Sequence, residues 1–365
     1  MRYTLKTLFL SLSSLTCTSI SATGLNFWET STLNSALASA NGASAVDASI
    51  LALAPSSITQ LEQSSLSASV TYYDVTTDYN IFGDESKYNT KNPIPMGFVT
   101  TEINDSYFFG LAVYSRTAAD IVVPKIPFIN PKETRVKPIL VSVSPTLAYA
   151  HGNLSVAASL EYIHTAHTLE QTTCIFNVCD KSLEEGTTSG WTGALSATWK
   201  VTSTTSLAFT HRFSTSFGDQ DISVELPSIS SVYGTLMITP KTAWHASYSY
   251  STYDGKGVRY ANYTDPIGLL VGYQNSQRIA TSIDHKLGHW SLRGGISLDE
   301  AIDRLGGIDK RYRLGVGYQF TKQFTLNAAW VYEDYAIKEA AAGDTTLVKV
   351  QNSGSALSLG IQYDF

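Results

Sequence analysis

The chain has 365 residues, of which 25 are basic and 31 acidic, so its formal net charge is −6 at pH 7. Charged residues make up only 15%, against roughly 25% in an average soluble protein, while tyrosine (21) and phenylalanine (14) are plentiful. So acidic a chain is not expected to bind nucleic acid. Beyond the first few residues no run of about 18 apolar residues occurs, which argues against membrane-spanning helices. The composition instead suits a wide lipid-facing surface with aromatic girdles.

The first residues form a segment of their own. Arg2 and Lys6 precede a short apolar stretch, which is followed by small residues. This pattern predicts a cleavable secretory signal peptide over residues 1–23. Cys17 raises the alternative of a lipoprotein anchor, but the residues before it, Ser-Leu-Thr, make a poor lipid-attachment signal.

Residues 24–64 are rich in alanine, serine and asparagine, nearly uncharged, and interrupted by Gly42 and Pro55. They lack the alternation of a strand and are too polar to span a membrane. Their small side chains cannot build a core alone. We therefore expect this segment to pack inside another part of the protein.

From residue 65 onwards the chain alternates apolar and polar residues in about fourteen stretches of nine to thirteen residues. The last stretch ends the chain, with Ile361, Tyr363 and Phe365 on one face and Gln362 and Asp364 on the other. Successive side chains of a strand point to opposite faces, so one face suits lipid and the other an aqueous lumen. Lipid leaves no partner for a free strand edge, so the strands must close into a barrel.

We therefore predict an all-β fold, a transmembrane antiparallel β-barrel of about 14 strands over residues 65–365. Residues 24–64 form a hatch, or plug, in its lumen. Long connections alternate with short ones such as the turn at Asn104-Asp105. Short turns on one side and long loops on the other are typical of bacterial outer-membrane barrels.

Two cysteines, Cys174 and Cys179, lie in the predicted loop over residues 168–189. An exported protein meets an oxidising compartment, which favours a disulfide between them. Metal binding is disfavoured, because only His164 and His167 lie near and no second cysteine pair completes a site.

Several stretches are similar to the FadL family of outer-membrane transporters. Asn41–Ala48 resembles the family's small-residue stretch that ends in Asp-Ala, and Pro55 lies where the family has Asn-Pro-Ala. Ser144–Tyr149 resembles its Asn-Pro-x-Leu-Ala-Tyr strand, and Gly190 and Trp191 open a later strand in the family manner. Leu207–Arg212 resembles a strand that ends in Tyr-Arg.

The resemblance implies a fourteen-stranded barrel with an N-terminal hatch in the bacterial outer membrane. It implies passive uptake of hydrophobic molecules: long-chain fatty acids, aromatic hydrocarbons or detergent-like lipids. A monomer in contact with outer-membrane lipids is expected, without cofactor, metal or catalytic residues.

Basic residues recur on the predicted lumen face, and an arginine facing lipid near the bilayer midplane would cost about 2 to 4 kcal/mol. The candidate ligand-binding arginines are Arg212, Arg278, Arg293 and Arg313. A guanidinium binds a carboxylate through two parallel hydrogen bonds, and the resemblance places Arg212 near the ligand headgroup. The alternative is that these arginines pair with protein carboxylates, namely Glu102, Glu161, Asp299 and those of the hatch.

Further candidates lie in the hatch and the third strand. Phe27 and Trp28 contact either ligand or the barrel wall. Gly42, Asp47 and Pro55 are assigned to the hatch, with Asp47 fastening it to an arginine or a backbone amide. Gly110 permits a kink or bulge in its strand, and in the resembling family an inward kink of that strand opens a lateral exit.

Other classes of function remain open at this level. A general diffusion porin would conduct small ions, and a structural or adhesive barrel would act through its loops. An enzyme would need a serine and a histidine held together at the rim. His164 and His167 lie near it, but spacing identifies no serine partner, so no catalytic activity is expected.

Overall fold

The structure is a computed structural model and describes residues 27–125, 132–175, 178–261, 272–342 and 345–365. The predicted signal peptide, Cys17 included, lies outside the described residues. None of the described helices has the length and apolar content to cross a membrane.

The described chain begins with helical turns and continues as strands. One α-helix, α1, spans Thr32–Ala36, and two 3₁₀ helices span Ala48–Ala52 and Pro55–Gln60. The first ten strands are β1 (Ser65–Ile81), β2 (Asp84–Asn104), β3 (Tyr107–Ala118), β4 (Ile121–Val123), β5 (Glu133–His151), β6 (Leu154–Ile175), β7 (Val178–Lys200), β8 (Thr205–Arg212), β9 (Thr215–Gly218) and β10 (Ile222–Leu226). The others are β11 (Ile229–Thr239), β12 (Thr242–Ser251), β13 (Gly257–Tyr260), β14 (Ser276–Leu287), β15 (Trp290–Glu300), β16 (Ile308–Gln319), β17 (Phe324–Asp334), β18 (Lys338–Ala342) and β19 (Thr345–Asp364).

Fourteen of these strands close an antiparallel barrel, which confirms the predicted fold. Their order is β1-β2-β3-β5-β6-β7-β8-β11-β12-β14-β15-β16-β17-β19, and β19 pairs with β1 from Ser65–Asp364 to Ile81–Val348. The short strands β4 and β18 extend the wall. Pairing of the first and last strands leaves no free edge at the closure, as hydrocarbon surroundings require.

Side chains alternate across the wall as the sequence pattern predicts. In β5, Leu147 is 51% exposed on the outside, whereas its neighbours Thr146 and Ala148 are 3% and 1% exposed. The outward set is mainly aliphatic and aromatic, and the inward set is mostly small or polar, with large apolar residues gathered on β2 and β3. Small inward residues leave room in the lumen: a Cβ on Gly315 would lie 2.3 Å from the Cβ of Ala36 in α1.

Several strands run further than the alternation predicts. β1 and β2 pair as far as Ile81–Asp84, through residues 74–93, for which the end of the alternation at Tyr73 predicts a long loop. β6 and β7 pair as far as Ile175–Val178, through the loop predicted over residues 168–189. Both loop predictions were wrong. Away from lipid both faces of a strand meet water, so backbone pairing persists where the apolar alternation has ended.

Residues 27–64, here called the lumen segment, lie within the ring of strands. They are almost all buried from Trp28 to Ile58. Ser31 caps α1 by accepting a hydrogen bond from the Asn34 amide. Asp47 caps the first 3₁₀ helix in the same way through the Ser49 amide. The helical turns are too short to be stable alone, so contact with the wall fixes their place.

The two ends of the barrel differ. The turn end carries the short connections, the start of β1 and the last residue, Phe365, whose amide donates to the Ser64 carbonyl. The loop end carries the long hairpins and a separate three-stranded sheet of β9, β10 and β13, here called the cap sheet. Ile222, Val224 and Leu226 of the cap sheet are buried against Leu140 and Ile163 of the wall.

Candidate functional site

Arg212 ends β8 and points into the lumen between the wall and the lumen segment. Its Nη2 donates to the Ala52 carbonyl at 3.3 Å, and its Nε lies 3.8 Å from Oε2 of Glu161. The guanidinium also lies over the Tyr114 ring, 5.7 Å from the centroid. Glu161 is shared, because Arg116 pairs with it at 3.2 Å. The cation predicted to meet a ligand headgroup is therefore already paired with a protein carboxylate.

A small cavity of about 20 Å³ adjoins this arginine. It is lined by Phe27, Trp28, Thr30, Ala52, Leu53, Thr210, Arg212, Ile229, Ser231 and Tyr233. The predicted aromatic pair and Arg212 thus meet at one place. The space holds about one water molecule, so a larger guest requires the lumen segment to move.

Phe27 and Trp28 also contact protein groups. Phe27 packs on Tyr73, with 5.0 Å between ring centroids, and its amide donates to the Arg116 carbonyl at 2.9 Å. The Trp28 ring lies 4.4 Å from the guanidinium carbon of Arg278. Both aromatics therefore line the cavity and pack against the barrel wall.

Arg278 and Arg313 fasten the lumen segment to the wall. Arg278 Nε lies 2.7 Å from Oδ1 of Asp299, and its Nη2 donates to the Ala38 carbonyl at 2.7 Å. Arg313 Nη2 donates to Glu29 at 2.6 Å, and both side chains are about 1% exposed. A buried charge is tolerated only when paired, so Glu29 and Arg313 hold each other in place.

Arg293 lies nearer the turn end. Its Nε is 3.4 Å from Oδ1 of Asp284, and its Nη1 donates to the Asn327 side chain at 2.7 Å. The structure therefore brings Arg293 into a protein network of its own, apart from Arg212 and the small cavity.

The lumen arginines thus pair with carboxylates, as the alternative prediction held. Glu161 and Asp299 are partners, whereas Glu102 is exposed beside the turn at Asn104. Sequence reasoning missed Arg116 and Arg311, both 1% exposed or less. Arg311 pairs with Asp299 and lies 2.7 Å from Glu333. Arg311 lies two residues before Arg313 in β16 and therefore on the same face, and this spacing could have identified it from the sequence.

The residues assigned to the hatch act through close packing and hydrogen bonds. A Cβ on Gly42 would lie 2.5 Å from the Tyr233 ring, so glycine permits close approach. Asp47 accepts from the Ser49 amide at 2.9 Å. Pro55 opens the second 3₁₀ helix, and the next residue, Ser56, donates its amide to Ser196 on β7 at 2.8 Å.

Towards β2 and β3 the contacts are apolar instead. Ile50, Leu51, Leu53 and Ile58 form one buried cluster with the inner side chains of these strands. The wall members from β2 and β3 are Ile94, Met96, Phe98, Phe108, Ala112 and Tyr114. The lumen segment is therefore held by ion pairs on one side of the barrel and by apolar contact on the other.

The wall beside this apolar cluster is interrupted. Pairing of β2 with β3 runs from the turn at Asn104 only to Gly97–Val113. Beyond that pair, the Asn92 side chain donates to the Ala118 carbonyl at 3.2 Å and reconnects the two strands. We call the unpaired stretch between these two contacts, residues 93–96 of β2 and 114–117 of β3, the side opening.

An apolar groove of about 440 Å³ covers the side opening. Its lining residues are Asn92, Pro93, Ile94, Pro95, Met96, Gly97, Val113, Ser115, Ala118, Ala119, Asp120, Lys137, Ile139 and Val141. Ile94 and Met96 belong also to the buried cluster, so the groove and the lumen share these two side chains.

Gly110 lies below the side opening, within paired wall. It faces Thr100 on one side and Thr146 on the other. A Cβ at this position would lie 2.5 Å from Cδ2 of Leu51. The glycine therefore admits the lumen segment against β3.

At the loop end, the cap sheet and the β6–β7 hairpin meet. The ring of His167 on β6 lies edge-on to Tyr260 of β13, with 5.4 Å between centroids. Burial lowers the pKa of His167 below its ordinary value, although Asp219 and Asp221 act in the opposite direction. At the tip of the hairpin Cys179 is disulfide-bonded and faces Cys174 in register.

At the turn end a polar cavity of about 500 Å³ lies between the lumen segment and the wall. Gln60, His245, Asp284, Lys286 and Arg293 are among its lining residues. Its polar lining contrasts with the apolar groove at the side opening. No group of three or more potential metal ligands was found among the described residues.

An antiparallel barrel with apolar outward side chains is typical of the proteins that span the bacterial outer membrane, and here residues 27–64 pack in its lumen. The sequence of residues 13–217, more than half of the chain, matches the family described as "Outer membrane protein transport protein (OMPP1/FadL/TodX)". The chain belongs to this family of transport proteins for hydrophobic substrates, which confirms the predicted resemblance.

Solved structures share the fold at low sequence identity. A Pseudomonas aeruginosa FadL homologue has a TM-score of 0.77 at 16% identity, with 92% of this chain and 98% of that chain covered. The P. putida toluene transporter TodX has a TM-score of 0.72 at 14% identity, with 90% of this chain and 97% of that chain covered. The Ralstonia pickettii toluene transporter TbuX has a TM-score of 0.69 at 14% identity, with 93% of this chain and 98% of that chain covered. No curated protein matches the chain in sequence.

Proposed function

We propose that this protein admits small neutral hydrophobic molecules passively across a bacterial outer membrane, and that they leave through the side opening between β2 and β3. The observation that carries the proposal is an apolar groove in the wall that shares Ile94 and Met96 with the buried apolar cluster of the lumen. The loop end faces outward and the turn end faces the periplasm. Residues 24–64 act as a hatch, and the protein works as a monomer after removal of residues 1–23.

The first step is capture at the loop end. The cap sheet packs Ile222, Val224 and Leu226 against the wall, so a hydrophobic molecule that enters between sheet and wall meets apolar side chains. A hydrophobic molecule gains about 25 cal/mol for each Å² of apolar surface that it removes from water. This gain draws the molecule inward without an energy source.

The second step is occupancy of the cavity beside Arg212. The cavity now holds about 20 Å³, and its neighbours Ala52 and Leu53 belong to the same apolar cluster as Ile94 and Met96. A small shift of the lumen segment on this side breaks apolar contacts and the hydrogen bond from Arg212 to the Ala52 carbonyl, but no ion pair. The Glu29–Arg313 ion pair and the hydrogen bond from Arg278 to the Ala38 carbonyl on the other side remain as the anchor.

Ion pairing of the lumen arginines favours neutral molecules over fatty acids. A carboxylate bound at Arg212 would compete with Glu161, which already holds Arg116 and accepts from Ser142 at 2.6 Å. A second carboxylate beside Glu161 would be repelled by it, and it would have to replace contacts that Arg212 already makes. A neutral aromatic hydrocarbon needs no counter-charge, so it is the ligand that this cavity suits best.

The third step is passage from the buried cluster to the side opening. The axial route ends in the polar cavity at the turn end, whose lining includes Gln60, Lys286 and Arg293. Transfer of an apolar molecule into such surroundings is unfavourable. The groove beside Pro95 is apolar, so the lateral route keeps the molecule out of water throughout.

A test of this proposal fills the cavity beside Arg212. Leu53→Trp adds bulk there, and Leu61→Trp, at the polar cavity, is the matched control. Each is expressed in Gram-negative cells that lack their own hydrocarbon transporter, and uptake of a radiolabelled monoaromatic hydrocarbon and of a long-chain fatty acid is measured. We expect hydrocarbon uptake by the wild type, loss with Leu53→Trp and normal rates with Leu61→Trp. Equal loss in both variants, or uptake of the fatty acid alone, would contradict the proposal.

A further inference from the structure

The seam between β2 and β3 is interrupted although both strands continue beyond the break. β2 stays paired with β1 as far as Asp84, and β3 stays paired with β5 as far as Ala118. Only the ladder between β2 and β3 stops, at the pair Gly97–Val113. Since each strand keeps its other neighbour, the cause of the break lies in the groups that face the seam.

Two prolines occupy the β2 positions that come next. Pro95 lies opposite Val70 and Pro93 opposite Tyr72 in an unbroken ladder with β1. Proline has no N–H, and the backbone groups of a central strand serve its two neighbours alternately. The unbroken ladder with β1 therefore requires both proline nitrogens to face β3. Gly97 has the same orientation and forms the last pair of the ladder, with Val113. The next two β2 residues that face β3 are Pro95 and Pro93, and neither can donate a hydrogen bond.

The other side of the seam is also irregular. The register of β3 against β5 shifts between Ser115 and Thr117, which marks a bulge at Arg116. A bulge bends its strand and increases the local twist. The Arg116 side chain turns inward to Glu161, and its carbonyl accepts from the Phe27 amide. The bulge thus directs Arg116 into the lumen, opposite the part of β2 that contains the two prolines.

Pro145, elsewhere in the wall, shows what one missing donor does. Pro145 lies in β5, and the ladder with β6 passes from Val143–Tyr162 directly to Thr146–Ser159. Pairing therefore resumes beyond a single proline. At the β2–β3 seam two prolines of the same orientation follow each other, and a bulge opposes them.

We propose that Pro93 and Pro95 are the residues that keep this seam unpaired, and so fix the position and height of the side opening. This inference rests on the proposed function for its biological meaning, but not for its structural content. Continued register would pair residue 95 with Ser115 and residue 93 with Thr117. The Asn92–Ala118 hydrogen bond then bounds an opening four residues tall, about 13 Å at the rise of a strand.

The test restores the two donors. The double variant P93T/P95T supplies N–H groups at both positions with a residue that favours strands. P145T is the matched control, because it adds a donor in a seam that is paired on both sides of the substitution. Hydrogen–deuterium exchange of the purified proteins in detergent measures protection in β2 and β3, and hydrocarbon uptake by cells is measured in parallel.

Two added hydrogen bonds shift the seam towards pairing by at least about tenfold. We expect P93T/P95T to slow amide exchange over residues 114–117 of β3, opposite the restored donors, by that factor and to lower uptake to a similar degree, while P145T changes neither. Unchanged exchange in P93T/P95T would overturn the inference whatever the uptake. Slower exchange with unchanged uptake would support the role of the prolines and contradict the lateral route instead, so the two proposals fail separately.

Discussion

A carboxylate–guanidinium pair inside a barrel is stable only while both partners are present. Glu29 is the one such carboxylate that the lumen segment contributes among the ion pairs described above, and it contacts Arg313 at 2.6 Å. Both groups are cut off from water, so neither can be solvated if its partner is lost. This pair therefore sets how firmly the start of the lumen segment is held.

Removal of the Glu29 charge should loosen the start of the lumen segment. Glu29→Gln leaves Arg313 buried without a counter-charge, which costs about 3 kcal/mol. We expect faster amide exchange over residues 27–37 and a lower midpoint of unfolding in guanidinium chloride. Glu102→Gln, at an exposed position beside a turn, is the control and should leave both unchanged. Equal effects of the two substitutions would show that the pair does not anchor the segment.

Sequence reasoning identified the lumen face of these arginines and a set of candidate carboxylates, but not which carboxylate each arginine meets. Arg212, Arg278, Arg293 and Arg313 were assigned inward by parity alone, because alternation in a strand has a period of two. Which carboxylate each one meets depends on the register between strands and on the path of the lumen segment. Register across fourteen strands leaves no trace in a single sequence, so the pairing of Glu29 with Arg313 was not predicted.

Among the elements, the cap sheet depends on pH through His167. Burial lowers the pKa of His167, so the docked cap sheet favours the neutral ring. The stabilisation is then fully present above the ordinary pKa of about 6.5 and is lost as pH falls through the lowered value. We expect protection of residues 215–226, corrected for intrinsic exchange, to fall between pH 7.5 and pH 5.

Two variants separate this effect from general acid sensitivity. His167→Gln should remove most of the pH dependence, whereas His164→Gln, at an exposed position three residues away, should retain it. The prediction is wrong if the cap sheet of His167→Gln still loosens in acid as the wild type does.

The β6–β7 hairpin gives a second prediction for an element. The disulfide of Cys179 closes a loop of six residues, and constraining so short a loop contributes about 2 kcal/mol. In the variant C174S/C179S we expect faster proteolysis at the hairpin tip, with heat stability of the barrel and uptake unchanged. Failure of the variant to assemble in the membrane would show instead that the disulfide serves the barrel itself.

Strand number could be predicted from the sequence, but strand length could not. The alternation marks the part of each strand that meets lipid on one face, as in β5 around Leu147. It ends where β1 and β2 leave the wall, although they stay paired to Ile81–Asp84. Pairing there depends on the neighbouring strand, which a period of two in one stretch does not encode. The side opening was likewise missed, because Pro93 was assigned to the end of a loop and Pro95 to the strand that follows it, and neither assignment shows whether that strand pairs with β3.

At the scale of the whole molecule the barrel has two unlike halves. Strands β14 to β17 hold the lumen segment through the Glu29–Arg313 ion pair and the hydrogen bond from Arg278 to the Ala38 carbonyl, while β2 and β3 meet it through apolar side chains and share the interrupted seam. An apolar molecule that passes between β2 and β3 need not disturb the Glu29–Arg313 pair. Under the proposed function, this asymmetry favours passage sideways.

The central claim is that hydrophobic molecules leave through the wall, and site-specific blocking tests it most directly. A bulky maleimide is attached to A118C, in the groove at the side opening, or to S291C, in the polar cavity at the turn end. Uptake of the monoaromatic hydrocarbon is then compared before and after labelling in the same cells. We expect labelling of A118C to abolish uptake and labelling of S291C to leave it unchanged. Loss of uptake on labelling S291C, with normal uptake through labelled A118C, would contradict it.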